Sequence, residues 1–247
     1  MSRSTSLGLV FLLAACRGGA EESAVRVTLD GNQVIVGAVQ TAILDLDGAL
    51  GALAIPLEDV GEVRPVEGDD LQGSNDHVTV WLRNETELRG RWNDPKLEIA
   101  IAIGGDRVGI TLPMADVARF QTPGGSSWPT GDVFRVKTTY GDDLIVDPEQ
   151  TRFTIANPMG VFSPFLSECV SVAPIGDPSG DWRVELTSGT VLVGPLRDTA
   201  LTLAMPMGPD HVEVPLESIV SLTWQSWGAY DNYSQFDSST PAQSGWF

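Results

Sequence analysis

Cysteine, histidine and basic side chains are all scarce in this chain. Two cysteines, at positions 16 and 169, cannot build a disulfide framework, so the fold must rest on its core. Two histidines, His77 and His211, occupy nonequivalent points, and neither has a metal-ligand neighbour at useful spacing. A Ser-His-Asp triad is combinatorially possible in a chain with many serines, but no GxSxG elbow is present to single one out. The 15 Lys and Arg face 33 Asp and Glu, for a formal charge of −18. Nucleic-acid affinity comes mostly from neutralising phosphates, so this balance argues against a nucleic-acid partner. Long apolar runs are missing too: the run from Leu7 to Ala15 is less than half of the roughly 20 residues a spanning helix needs.

That short run nevertheless has a reading. Residues 1–15 carry a basic start with Arg3, an apolar centre and a small-residue exit, the three-part layout of a secretory signal. Leu13-Ala14-Ala15-Cys16 resembles the lipobox of bacterial lipoproteins. The resemblance implies that Cys16 is diacylated on sulfur and becomes the mature N-terminus, with residues 16–24 as a tether and the membrane as a partner. Arg17 stands where the family's inner-membrane retention signal would be Asp, so the implied location is the cell envelope, at the outer membrane of a Gram-negative bacterium. Removing residues 1–15 takes the charge to −19 and leaves Cys169 without an intrachain partner.

Four copies of one unit follow. Each opens with period-two alternation, the mark of a strand with one buried face: "VRVTLDG" from Val25, "VTVWLRN" from Val78, "FRVKTTYG" from Phe134 and "WRVELTSG" from Trp182. Three openings end at Gly31, Gly141 and Gly189, the second at Asn84, residue types that tolerate the positive φ of a tight hairpin. Return strands end at Gly37, Gly90 and Gly194, where a bend or bulge is expected; the third copy has Asp147 and Pro148 there instead. Each copy then has an apolar strand closed by a Gly turn. It finishes with apolar residues at 57, 114, 166 and 216, then 60, 117, 169 and 219, then 63, 120, 172 and 222. Asp59, Asp116, Glu168 and Ser218 fall where a short turn's amides want an acceptor. Cys169 shares a column with Val60, Val117 and Ile219, which predicts a buried, inert thiol.

The expected fold is all-β, with units at 25–66, 77–121, 133–175 and 181–224. The strand and Gly pattern resembles the Sm-like and SH3-like small β-barrels, from which the fold alone is taken. Units of about 44 residues are marginal alone and must pack together, either as small barrels or with strands pooled into β-sandwiches. Segments 67–76, 122–131 and 176–180 join them.

Residues 225–247 break the pattern and read as a disordered tail, or else as a strip where Trp227, Tyr230, Tyr233 and Phe236 dock on a partner or a sugar. Candidate acids for a catalytic pair are Asp45 and Asp47 on one strand face, Asp69 and Asp70, and Asp142, Asp143 and Asp147, all near turns. Glu67, Asp69, Asp70, Asn75 and Asp76 form an acidic linker that would suit calcium, although without EF-hand spacing. No catalytic set, metal or cofactor is assigned. The expectation is a lipid-anchored, non-enzymatic envelope scaffold that contacts other envelope proteins. Its alternatives are a carbohydrate- or calcium-binding surface module and, behind it, a hydrolase with paired carboxylates.

Overall fold

The computed structural model describes residues 23–39, 41–66, 77–94, 96–127, 132–178 and 180–226. The first copy runs β1 (Ser23–Leu29), β2 (Val34–Val39), β3 (Ile43–Gly48), β4 (Gly51–Pro56) and β5 (Val60–Pro65). The second runs β6 (His77–Leu82), β7 (Glu87–Trp92), β8 (Lys96–Ile103), β9 (Asp106–Pro113) and β10 (Val117–Gln121). The third has β11 (Asp132–Thr138), β12 (Asp143–Val146), β13 (Ile155–Asn157), β14 (Gly160–Phe162) and β15 (Cys169–Pro174). The fourth has β16 (Asp181–Leu186), β17 (Val191–Pro195), β18 (Ala200–Ala204), β19 (His211–Pro215) and β20 (Ile219–Ser226). One 3₁₀ turn precedes the last strand of every copy, at Leu57–Asp59, Met114–Asp116, Leu166–Glu168 and Leu216–Ser218. The fold is all-β and antiparallel, and none of its described sheets closes into a barrel.

Strands are pooled because copies exchange their last strands in pairs. β5 lies between β6 and β10, and β10 lies between β5 and β1, so each copy's closing strand completes its neighbour's sheet. The exchange continues outward: β2 pairs with β8, and β7 with β3. Copies three and four repeat it, with β15 and β20 side by side between β16 and β11. All three apolar columns of the repeat are buried, from Leu57, Met114, Leu166 and Leu216 through Val63, Phe120, Val172 and Leu222. Trp92 stands edge-on to Phe120 at 5.9 Å, in the middle of the first pair.

Exchange explains the glycines better than bending does. A Cβ on Gly37 would fall on Ile99 and the Ala100 carbonyl, one on Gly90 would come 2.8 Å from the Asp47 carbonyl, and one on Gly194 would strike the Ala156 carbonyl. Each glycine lets the partner copy's third strand lie across the second strand. Hairpin register puts Val146, and not Asp147, at this place in the third copy, since Phe134 pairs with Val146 as Val78 does with Gly90. A side chain fits there because β18 reaches β12 through the Asp147 N–H to the Ala204 carbonyl, at 2.8 Å. The hairpin reading also shifts by one residue in the second copy: the positive φ belongs to Glu85, at 69°, and Asn84 is buried with its Oδ1 accepting the Thr86 N–H.

The two halves meet at β7 and β12. Asp143 pairs with Glu87, the Arg89 N–H donates to Asp142 Oδ1 at 2.8 Å, and the Ile145 N–H donates to Thr86 Oγ1 at 3.2 Å. In addition, Gly208 N–H donates to Asp59 Oδ2 at 2.9 Å, so this turn acid serves a distant backbone. Glu168 accepts locally from Phe165, as expected, while the Ser218 hydroxyl donates to the Pro215 carbonyl. No helix among the described residues is long and apolar enough to cross a membrane.

Candidate functional site

A concavity of about 510 Å³ opens where β3 crosses β7 beside the joint of the halves. Asp47, Gly48 and Ala49 come from the first copy, His77, Arg89, Gly90 and Arg91 from the second, and Tyr140 from the third. Strand alternation aims Arg89 and Arg91 to the same side of β7, away from buried Leu88 and Trp92. Arg89 is held by Glu87 at 2.7 Å, and its guanidinium lies over Gly141, where no side chain intrudes. Tyr140 sits at the β11–β12 turn with 42% of its surface exposed.

The repeat supplies an internal control for these residues. At the crossing, Asp47 stands where the other copies have Ala100, Ala156 and Ala204, each offering the same carbonyl to the crossed strand. Arg89 and Arg91 correspond to Val36 and Ala38 in the first copy and to Val193 and Pro195 in the fourth. His77 corresponds to Ala24, Val133 and Asp181. The crossing therefore needs none of these polar groups, since three copies manage with others. Two guanidiniums, an imidazole, a carboxylate and a phenol ring together line this concavity, and a guanidinium is the side chain best matched to a carboxylate or phosphate.

Among the other candidate acids, Asp142 and Asp143 are occupied structurally. Asp45 and Asp47 do share the exposed face of β3. Asp143 holds Arg135 at 2.6 Å and Lys137 at 3.4 Å. Asp142 is buried, which raises its carboxyl above the ordinary aspartate value, although it accepts hydrogen bonds from the Arg89 N–H and from Thr138 Oγ1 at 3.0 Å. Cys169 is buried, and desolvation together with neighbouring Glu168 pushes its thiol up to about 12. His211 is at the start of β19, away from the cavity lining. Among the described residues no three His, Cys, Asp or Glu converge as a metal site.

Cys16, Trp227, Tyr230, Tyr233 and Phe236 lie outside the described residues, as do Glu67, Asp69, Asp70, Asn75 and Asp76. Sequence reasoning singled out Asp47 but missed His77, Arg89, Arg91 and Tyr140 as a group. A column-by-column reading of the repeat would have found the arginines, because they flank a crossing glycine whose counterparts are flanked by Val, Ala or Pro. Comparison with protein-family models, curated proteins and solved structures gives no match.

Proposed function

We propose that this chain is a lipid-anchored, non-enzymatic scaffold of the bacterial envelope, held by Cys16 and contacting other envelope proteins through its β-surface. Strand β9 carries the reading. It is one edge of the long sheet, runs for eight residues, and buries none of them fully. Its counterpart in the first copy, β4, is shorter and buries Leu53 and Ile55. Val108 and, across the hairpin, Ile103 are exposed, so the arm offers a free ladder with apolar side chains to an extended partner segment. Cross-linking and pull-down from intact cells test this. Wild type is expected to retain envelope proteins, Val108→Lys to lose them, and Cys16→Ser to leave the membrane fraction. Equal capture by Val108→Lys, or a membrane-bound Cys16→Ser, would refute the corresponding half of the reading.

A second reading, favoured by the cavity, is a carbohydrate-binding module for a sugar bearing a carboxylate. Tyr140 supplies the flat face and Arg89 and Arg91 the anion contact. Digalacturonate titrated against the purified chain is expected to bind, and Arg91→Gln and Tyr140→Ala each to weaken it about tenfold. Equal binding of neutral digalactose would refute the carboxylate assignment.

A further inference from the structure

We infer that copies of this chain join end to end, the β16–β17 hairpin of one docking against the β1–β2 hairpin of the next. This rests on the scaffold reading and names one of its partners, but it requires neither strand β9 nor the lipid.

The joint between the second and third copies is the precedent. All four first hairpins close through the same backbone bond: Leu29 N–H to Gln33, Leu82 to Thr86, Thr138 to Asp142 and Leu186 to Thr190, at 2.8 to 3.0 Å. That bond fixes which residues are equivalent. In the inner hairpins, the closing residue's side chain accepts a hydrogen bond from the opposite return strand. Thr86 Oγ1 takes the Ile145 N–H, and Asp142 Oδ1 takes the Arg89 N–H. The arrangement is reciprocal, as two-fold contacts are.

The outer hairpins carry the same parts without an intrachain counterpart copy. Gln33 and Thr190 hold the acceptor positions, and both have oxygens able to accept. Val36 and Val193 hold the donor positions, being the equivalents of Arg89 and Ile145. Ile145 is fully buried by the inner joint, yet Val36 is 66% and Val193 42% exposed. Val34 and Val191, equivalents of Glu87 and Asp143, are exposed as well. The outer ends have thus exchanged the inner joint's charged pair for valines. On a chain of net charge −18, valines in place of two carboxylates at these facing positions lower the repulsion between two copies.

Repeat one and repeat four are different surfaces, so a contact between them is head-to-tail and propagates along a row. The inner joint is small, and the outer one draws on confinement of many copies in one compartment for its occupancy.

The test places Val34→Cys and Val191→Cys, at the equivalents of the directly paired Glu87 and Asp143, together in the full chain and oxidises envelope preparations and the purified chain at low and high concentration. A ladder of dimers, trimers and higher species on non-reducing gels is expected, with either substitution alone giving no ladder. Adding Val36→Glu and Val193→Glu should reduce the ladder about tenfold while leaving the melting temperature unchanged. Strong dimers from Val34→Cys alone, or no ladder under any condition, would overturn the inference. Two outcomes separate it from the scaffold reading. Val108→Lys is expected to keep the ladder even as it loses envelope partners, and loss of both together would sink the present inference. Wild-type dimers through a bare Cys16 would refute the anchor, and a ladder from the double-cysteine chain would still support end-to-end assembly.

Discussion

The two halves exchange strands by one plan but finish it differently. In the first, β3 and β8 are six and eight residues long and pair along β7 and β2, extending the sheet. In the second, β13 has three residues and β18 five, and each pairs within its own hairpin. Ladder pairing with the second strands shrinks to the Ile155–Leu196 bridge and the Asp147 to Ala204 bond, although β13 still lies close across β17 at Gly194. Proline makes the difference. Pro158 and Pro206 stand in the third segments of copies three and four, where copies one and two have none. A residue with no N–H ends a ladder early. The plan therefore lies in the exchanged last strands, and the third strands are free to vary.

Breaking the centre of each half should have the largest effect. Phe120 faces Val63 across the first exchange, and Leu222 faces Val172 across the second. Phe120→Ala is expected to cost about 4 kcal/mol and Leu222→Ala about 3 kcal/mol in urea unfolding, because both are fully buried and the larger side chain leaves the larger void. Equal costs would mean that Trp92 does not depend on Phe120. Next come the crossings. Gly90→Ala, whose Cβ meets backbone, should lose about 2 kcal/mol, and Val146→Gly at the equivalent place should lose about 3 kcal/mol, because it empties a fully buried site and frees the unfolded chain. An unchanged Gly90→Ala would show that the crossing strand gives way there.

Electrostatics sharpens the comparison with opposite signs. Burial alone would raise Glu62, but hydrogen bonds from Arg119 and Arg64 outweigh it and hold the carboxyl below its ordinary value. Its contribution is present above that ordinary value and is lost as pH falls through the depressed one. Asp142, raised by burial, works the other way: the folded chain holds this proton longer, so stability is lost as pH rises from the ordinary aspartate range through the raised value. Glu62→Gln should remove roughly 0.5 kcal/mol of stability at neutral pH and flatten the acid limb. Asp142→Asn should flatten the limb above it and leave neutral-pH stability within about 1 kcal/mol of wild type. Denaturation midpoints measured across pH check both, and parallel profiles for the two variants would contradict the assignment.

Much of the fold could be read from columns of residues. Three buried columns, the turn before each last strand, and the inert position of Cys169 all follow from spacing, because burial on a strand repeats with period two whichever copy supplies the neighbours. Strand exchange could not be read that way. Val63 packs equally well against its own copy or the next, and alternation carries no record of which strand lies alongside. The close approach at Gly37, Gly90 and Gly194 was visible only as missing side chains, whose cause lies on another copy. The cavity was hidden for the same reason: Asp47, Arg91 and Tyr140 belong to three copies and are brought together only by the exchange and the joint.

One small change tests how far equivalence between copies extends. The left-handed hairpin position is held by Gly141 and Gly189 in the second half and by Asn32 and Glu85 in the first. Asn tolerates that backbone through its short polar side chain, whereas Glu pays the steric cost of a Cβ against the carbonyl, of roughly 1 kcal/mol. Glu85 is exposed, with no packing to lose. Glu85→Gly should therefore stabilise the chain by about 0.5 kcal/mol after the added freedom of the unfolded state is subtracted, and Gly141→Ala should destabilise it by about 1 kcal/mol or more, since its Cβ would also press on the Arg89 guanidinium. Both are read from urea midpoints. A destabilised Glu85→Gly would show that the second hairpin keeps its glutamate for a contact made outside the chain, and would move attention from the cavity to that turn.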